Sequence, residues 1–455
     1  MKEDNLYLRI VRAVLPSPFT IAIFLSLLTL LLALVLTDPG KDDQSPYFLT
    51  LLSYWQQGFW NSGFLAFTMQ MALILVLGHC LALSPPVDRL IEWIARYCDT
   101  TARAALLISL STLLVSMLNW GLCLVFGAVL VRKVGEKAQR RGQQLNYGLL
   151  GAAGYCGMMA WHGGFSGSAP LKVNESDHFL VEVTGQIGID ATLLSPTNLV
   201  AWGLLLLIIP ALFYLLGKRS ATQPMPPLLK EEGSTETQAA QAEGAERLDH
   251  ARWPGIAVGG LMIGITIYSI WSFFVGGGDV AYLINLNLIN FLLFGLALLF
   301  HGRIDAFLSA AQEAMSGATG ILIQFPIYAG IMGLMQSSGL IVLLSEWFVN
   351  ISTPGTFPVL TLFSAAIVNT FVPSGGGQWA VQGPVIAEAA KSLGVDLPRA
   401  IMALSYGDQL TNMLQPFWAL PLLGITRLSA KDILPYSLIA MLVATAIFIF
   451  VLVVV

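Results

Sequence analysis

Long apolar segments separated by short polar stretches dominate the chain. A segment of about 20 apolar residues is long enough to cross a bilayer as a helix. The segments that reach this length are residues 19–36, 63–83, 147–171, 196–216, 254–275, 283–300, 320–344, 398–425 and 433–455. The pattern therefore predicts an all-α polytopic membrane protein.

Two further apolar stretches are interrupted near their middle. Residues 104–131 contain Asn-Trp-Gly at 119–121, and residues 358–393 contain Val-Pro-Ser-Gly-Gly-Gly at 372–377. Proline and glycine cost about 3 and about 1 kcal/mol in a helix interior, so the second run marks a break. Its two arms have roughly 15 residues each, too few to span a bilayer. We expect both stretches to form re-entrant hairpins, each entering and leaving on one side.

The basic residues support this map. If residues 104–131 form a hairpin, the basic stretches 84–103 and 132–145 face the same side of the membrane. Most of the 23 Lys and Arg residues of the chain then lie on that side. Cytoplasmic loops carry the excess of Lys and Arg, so we expect a cytoplasmic N-terminus.

The second half repeats features of the first at an offset of 250 to 254 residues. The matches are Glu92-Trp93 with Glu346-Trp347, Asn119 with Asn369, Tyr155 with Tyr406, and Pro170-Leu171 with Pro421-Leu422. An odd number of crossings separates the copies, so they are expected to insert in opposite orientations. Interrupted segments paired in this way point to the midplane site of a secondary transporter.

This pattern divides the chain into four parts. They are residues 1–217 as the first repeat, 218–252 as a polar linker, 253–280 as an unpaired span and 281–455 as the second repeat. The linker lacks apolar periodicity and is predicted to be cytoplasmic and disordered. The hairpin at 104–131 should open inward and that at 358–393 outward, so their tips should meet near the middle of the membrane.

Composition agrees with a membrane protein and excludes other classes. Of 455 residues, 56% are hydrophobic and 11% are charged, whereas about a quarter are charged in soluble proteins. A net charge of −4 gives no basis for binding nucleic acid. The four cysteines have no Cys-x-x-Cys spacing, so we expect neither disulfide bonds nor a metal site at them.

The candidate substrate site comprises four interruptions: the two hairpin tips, the Gly-Gly-Phe-Ser-Gly-Ser-Ala-Pro run at 163–170 within residues 147–171, and positions 407–409, 411–412 and 415–416 within its repeat mate, residues 398–425. By this map no Lys or Arg lies deep within a span, so main-chain dipoles and neutral polar groups would hold an anion. A broken helix provides an exposed N-terminus with free N–H groups and about half a positive charge. The predicted substrate-binding residues are Asn119, Ser166, Ser168, Asn369, Ser374, Gly375, Gly376, Gly377 and Gln378.

Asp408 lies well inside the predicted span 398–425, and an intramembrane acid indicates function by default. We expect it to coordinate a coupling cation or carry a proton, together with Thr411 and Asn412. The alternative is an acid satisfied by neighbouring hydroxyl and amide groups. His162 could titrate or bind a carboxylate, although a lone histidine in an apolar helix is more often structural. No cofactor is expected besides a sodium ion or a proton as the coupling ion.

Two short motifs also occur in intramembrane proteases. Gly-Phe-Ser-Gly at 164–167 fits the rhomboid pattern, but the histidines on other helices, His79 and His301, lie near predicted cytoplasmic ends. Tyr-Gly-Asp at 406–408 resembles the aspartyl type, but a second intramembrane aspartate is missing, and paired carboxylates are needed. We therefore expect a protein that is not an enzyme.

Longer motifs extend over nearly the whole chain except the linker. They are Trp60-Asn61, residues 69–74, 119–121, 163–168, 324–326, 328–331, 372–377, 382–384 and 415–421. In these motifs the sequence resembles the short-chain fatty acid transporter family, which belongs to the ion transporter superfamily. Aspartate instead of the longer glutamate at 408 departs from the family pattern.

The resemblance implies proton- or sodium-linked movement of small monocarboxylates, such as acetoacetate and butyrate, across the bacterial inner membrane. It also implies inverted repeats, two opposing hairpins and an elevator motion in a homodimer surrounded by membrane lipid. Two alternatives remain open at this point. One is a carrier of C4-dicarboxylates or other carboxylates from the same superfamily, and the other is an anion channel.

Overall fold

The structure, a computed structural model, describes residues 18–38, 46–223, 225, 244, 246–276, 283–371, 375–414 and 416–455. Nearly all of these residues are helical, and the predicted all-α class is confirmed. Most of the predicted linker 218–252 lies outside the described residues, as does Ser374.

The helices of the first half are α1 Pro18–Leu36, α2 Tyr47–Phe59, α3 Ser62–Ala82, α4 Pro85–Ala95, α5 Thr101–Leu118, α6 Trp120–Arg140, α7 Tyr147–Tyr155, α8 Ser168–Lys172, α9 Val181–Thr184 and α10 Pro196–Arg219. Those of the second half are α11 Glu246–His250, α12 Arg252–Val275, α13 Leu286–His301, α14 Ile304–Ser337, α15 Leu340–Ile351, α16 Phe357–Phe371, α17 Gly375–Leu393, α18 Leu397–Thr411, α19 Pro416–Thr426 and α20 Ala430–Val454.

Six of the described helices are long and apolar enough to cross a membrane, namely α3, α5, α10, α12, part of α14 and α20. Their burial differs widely: 72% of the apolar window of α3 is buried, against 17% in α12. Helix α3 therefore lies at the centre of the molecule, in contact with α6, α13 and α14. Helix α12 lies at its periphery, with an apolar surface suited to lipid.

The first interrupted stretch forms a helical hairpin of α5 and α6. The chain turns at Asn119, whose extended backbone ends one helix and begins the next. The far ends of both arms lie together, since Arg141 Nη1 is 3.5 Å from Asp99 Oδ1 and Lys137 Nζ donates to Ala95 O at 2.8 Å. This geometry is the one that a segment entering and leaving on one side requires.

The second interrupted stretch pairs α16 with α17. Gln378 Nε2 donates to Ala365 O, and Gln382 Nε2 donates to Ser364 Oγ, both at 2.8 Å. Both arms also pack along α18. The predicted tip at residues 372–374 lies outside the described residues.

The two breaks differ from their predicted positions. In residues 147–171 the regular helix ends at Tyr155 and is followed by two short 3₁₀ helices, so the break begins before Gly163. In residues 398–425 the helix continues through Asp408 to Thr411, so the interruption does not include 407–409 as predicted and begins only at Asn412.

The physical reason is helix packing at Gly407. A Cβ atom there would lie 2.1 Å from Leu362 O on α16. Gly407 therefore permits close contact of two helices, as small residues do in membrane proteins, and does not mark a break.

Candidate functional site

A small central cavity lies where the breaks and the start of α17 meet. Its volume is about 20 Å³, roughly the space of one water molecule. Helices α3, α6, α8, α14, α17 and α19 and the first break contribute its lining, which consists of Met71, Trp120, Met158, Trp161, Ser168, Ile321, Phe325, Gly375, Gly376 and Trp418. Irregular backbone in this protein thus borders a cavity, as the membrane environment requires.

The tip of the first hairpin is fastened by Asn119, which is fully buried. Its Oδ1 accepts the N–H of Leu122 at 2.7 Å and caps α6, while its Nδ2 donates to Ile74 O at 3.4 Å. Ser166 Oγ accepts the N–H of Trp120 at 2.9 Å, which ties the first break to the same tip. Asn119 and Ser166, both predicted to bind substrate, therefore position Trp120 beside the cavity.

Two glycines let the N-terminus of α17 lie close to its neighbours, Gly375 against the first break and Gly376 against α3. A Cβ atom at Gly375 would lie 2.8 Å from Trp161 Cη2 and 3.2 Å from Asp408 Oδ2. At Gly376 it would lie 2.5 Å from Phe67 Cε1. The positive end of the α17 dipole is therefore close to both the cavity and the Asp408 carboxylate.

Asp408 forms a fully buried pair with His162. Asp408 Oδ2 lies 2.7 Å from His162 Nδ1, and His162 Nε2 accepts the N–H of Ala169 at 3.1 Å. Because Nε2 is an acceptor, the neutral imidazole carries its hydrogen on Nδ1 and donates it to Asp408. His162 is the hydrogen-bond partner of the Asp408 carboxylate among the described residues, so a neutral imidazole with an ionised aspartate gives the pair one negative charge. Asp408 Oδ1 is buried and has no hydrogen-bond partner in this part of the chain.

The other predicted cation residues hold helices together. Asn369, predicted to bind substrate, joins them, because its Nδ2 lies within hydrogen-bond distance of Asp408 O at 2.6 Å, Thr411 Oγ1 at 2.9 Å and Asn412 Oδ1 at 3.1 Å. Thr411 Oγ1 donates to Ala366 O, and Asn412 Nδ2 donates to Met158 O, both at 3.0 Å. This network fastens α16 and the first break to the end of α18 and so fixes the position of Asp408.

Of the predicted substrate residues, Ser168, Gly375 and Gly376 line the cavity. Gly377 continues the first turn of α17, and Gln378 joins the two arms of the second hairpin through Ala365 O. Ser374 cannot be placed, because it lies outside the described residues.

Three tryptophans of the cavity were not predicted from the sequence. Trp120 and Trp161 have ring centroids 5.8 Å apart, and Trp120 contacts Trp418 edge-on at 5.1 Å. A signal existed, because each tryptophan stands within three residues of a predicted break. A lone tryptophan near an interruption gives no chemical pattern, however, and only the fold brings the three together.

A second, outer pocket of about 480 Å³ lies between α3, α13 and the chain after α8. Its polar lining is Gln70, Lys172, Glu175, Asp177, Asn287 and Asn290. The sequence map leaves the spans without deep basic residues, but Lys172 is only 5% exposed and pairs with Glu175 at 2.5 Å. Lys172 Nζ lies 5.5 Å from the centre of the Phe67 ring, which also packs at Gly376. Phe67 therefore separates the outer pocket from the N-terminus of α17.

Comparison with known proteins agrees with this architecture. The family model of the short chain fatty acid transporter matches residues 4–455. A proposed short-chain fatty acid transporter of Escherichia coli K12 is 38% identical over 97% of this chain and 96% of its own length. Its counterpart from Haemophilus influenzae is 37% identical over 96% and 95%. The crystal structure of the Alcanivorax borkumensis YdaH transporter covers 96% of this chain and 98% of its own, with a TM-score of 0.59 and 16% identity, which is a likeness of fold alone.

Proposed function

Because the chain belongs to the short chain fatty acid transporter family, we propose that it accumulates short-chain monocarboxylates of the acetoacetate and butyrate type, driven by a cation gradient. The family makes the protein a multi-pass membrane transporter of a small molecule and not an enzyme. The bacterial inner membrane, a cytoplasmic N-terminus and an elevator motion within a homodimer are further parts of the proposal.

The observation that carries the proposal is the position of the α17 N-terminus, between the central cavity and the His162–Asp408 pair. The substrate carboxylate binds at this N-terminus and at Ser168, where the helix dipole favours negative charge. The short alkyl chain lies among the aromatic and methionine side chains of the cavity. Because the cavity has room for about one water molecule, binding requires the second hairpin to move outward.

Coupling follows from the closeness of two negative charges. The ionised carboxylate of Asp408 already occupies the neighbourhood of Gly375, so a second carboxylate at the same helix end is repelled. One cation at Asp408 removes the repulsion and also the penalty of about 2.3 kcal/mol per 100 mV for moving a lone anion inward.

The coupling cation in this proposal is a proton on Asp408 Oδ1. That oxygen is buried without a partner, while Oδ2 accepts from His162. A bound proton needs one oxygen atom, whereas a hard metal cation needs several oxygen ligands. Thr411 and Asn412, the predicted helpers, already make hydrogen bonds within the protein.

Uptake into proteoliposomes tests the function. Labelled acetoacetate and butyrate are supplied at a pH far above their pKa, with pH, sodium and voltage gradients imposed one at a time and protein-free liposomes as the control for passive leak. We expect saturable accumulation driven by an inward proton gradient, and counterflow without any gradient. Flux that neither saturates nor shows counterflow would indicate a channel, and preference for a C4-dicarboxylate would indicate the related carrier.

A further inference from the structure

Two tryptophans of the central cavity carry hydrogen-bond donors that have no acceptor in the part of the chain that the structure describes. Trp120 and Trp161 are 4% and 6% exposed, and neither indole N–H has a hydrogen-bond partner among the described residues. A buried donor left unpaired is destabilising, so each such group calls for a physical reason. Both unpaired donors belong to residues that line the same cavity, which favours a common reason for the two.

Both indoles are held by contacts that leave little freedom. Trp120 begins α6, with its backbone N–H bonded to Ser166 Oγ at 2.9 Å and its ring edge-on to Trp418. Trp161 stacks on His162 with ring centroids 4.6 Å apart, and His162 is itself bonded at both nitrogens. The donors are thus placed in advance, and a ligand that accepts from them does not have to order the rings.

The remaining polar groups of the cavity are donors as well. Among the described residues, the acceptor of Ser168 Oγ–H is the thioether of Met71 at 3.4 Å, and a thioether is a weak acceptor. The first turn of α17 adds backbone N–H groups at Gly375 and Gly376, which have no acceptor within their own helix. A cavity with donors in excess fits a ligand that offers only acceptors, and a carboxylate is such a ligand.

We propose that the indole N–H groups of Trp120 and Trp161 bind the carboxylate of the transported acid and so decide that the protein takes acids. This inference rests on the proposed function and adds substrate ligands to it. The two indoles contact the head group, so they act equally on acids of every chain length. The length of the acid is limited by the rest of the lining.

The test uses Trp120→Phe and Trp161→Phe, which keep an aromatic ring and remove the N–H. The control is Trp379→Phe, because Trp379 is also fully buried with an unpaired indole N–H but does not line the cavity. Each purified variant is reconstituted, and counterflow of labelled butyrate is inhibited by unlabelled acetate, propionate and butyrate. Size-exclusion profiles and thermal unfolding in detergent report whether each variant is folded.

We expect the inhibition constants of all three acids to rise about tenfold or more in each cavity variant, since a hydrogen bond to a charged group is lost. The factor should be the same for each acid. The control should bind as the wild type does. Unchanged inhibition constants in both folded cavity variants would overturn the assignment, and so would a factor that grows with chain length, which indicates tail packing. If Trp120→Phe does not fold, Trp161→Phe alone decides. A wild type without counterflow of any of the three acids would contradict the proposed function first, and this inference with it.

Discussion

The two broken helices of the molecule occupy matching places in the predicted repeat but differ in how much helix they lose. The first has no α-helix between Tyr155 and Ser168, whereas in the second the described residues between α18 and α19 are only 412–414. The longer break carries His162 and the regular helix carries Asp408, and the two side chains meet at 2.7 Å. The first copy thus provides an irregular wall of the cavity, and the second holds the Asp408 side chain on a regular helix.

The glycines show why the copies differ. In the first break, Gly164 approaches Met117 O and Gly167 approaches His162 O, so both glycines allow the irregular chain to pack closely against backbone. In the second copy, Gly407 faces Leu362 O within an unbroken helix. A glycine in an apolar segment therefore marks either a break or a close helix contact, and only the packing partner decides which.

The largest effect is expected at Gly407. Alanine there places a Cβ atom 2.1 Å from Leu362 O, so α16 and α18 must separate. We expect a loss of about 3 kcal/mol or more in stability, at the upper end of overpacking effects. Thermal unfolding in detergent measures it, with Gly424→Ala as the control, because a Cβ atom at Gly424 meets nothing within 4 Å. Equal stability of both variants would contradict the close packing of these helices.

A smaller effect is expected at His162. His162→Ala leaves the buried Asp408 without its donor, and we expect about 2 kcal/mol of lost stability together with reduced gradient-driven uptake. His162→Gln keeps an N–H donor and should retain more of both. If alanine and glutamine behave alike in uptake, the hydrogen bond to Asp408 has no part in transport.

The smallest effect is expected at Asn119. Since its side chain caps α6, Asn119→Ala should cost about 1 kcal/mol of stability. Apparent affinity for butyrate should fall less than in Trp120→Phe, because the Asn119 side chain does not line the cavity and Ser166 still holds the Trp120 N–H. A large rise in KM with unchanged stability would restore Asn119 as a substrate ligand, the role predicted from the sequence.

The sequence predicts the scaffold of this site better than its chemistry. Hydrophobic length and the interruptions at 119–121 and 372–377 locate both hairpins, and Asp408 is identifiable as an acid within an apolar segment. The His162–Asp408 pair joins residues 246 positions apart, and no local pattern encodes such a contact. The polar residues Asn119 and Asn369 were assigned to substrate because sequence alone cannot separate a capping amide from a binding one.

Two helices of the structure are not predicted from the sequence, and the reason is physical. Helices α2 and α15 are shorter than a membrane span and carry polar residues, so the search for long apolar segments passes over them. Helix α2 packs on α14, where a Cβ atom at Gly58 would lie 2.6 Å from Ala329 O. Such contacts between distant segments are set by tertiary packing. The inverted orientation of the two halves remains a prediction.

The central claim, that Asp408 carries the coupling cation, is tested most directly by Asp408→Asn in proteoliposomes. Asparagine keeps the size and hydrogen-bonding capacity of the side chain and removes its charge. We predict that accumulation of acetoacetate driven by a proton gradient is lost, while gradient-free counterflow persists, because the ligands of the carboxylate remain. Unchanged accumulation by this variant, measured beside the wild type and protein-free liposomes, would contradict the account.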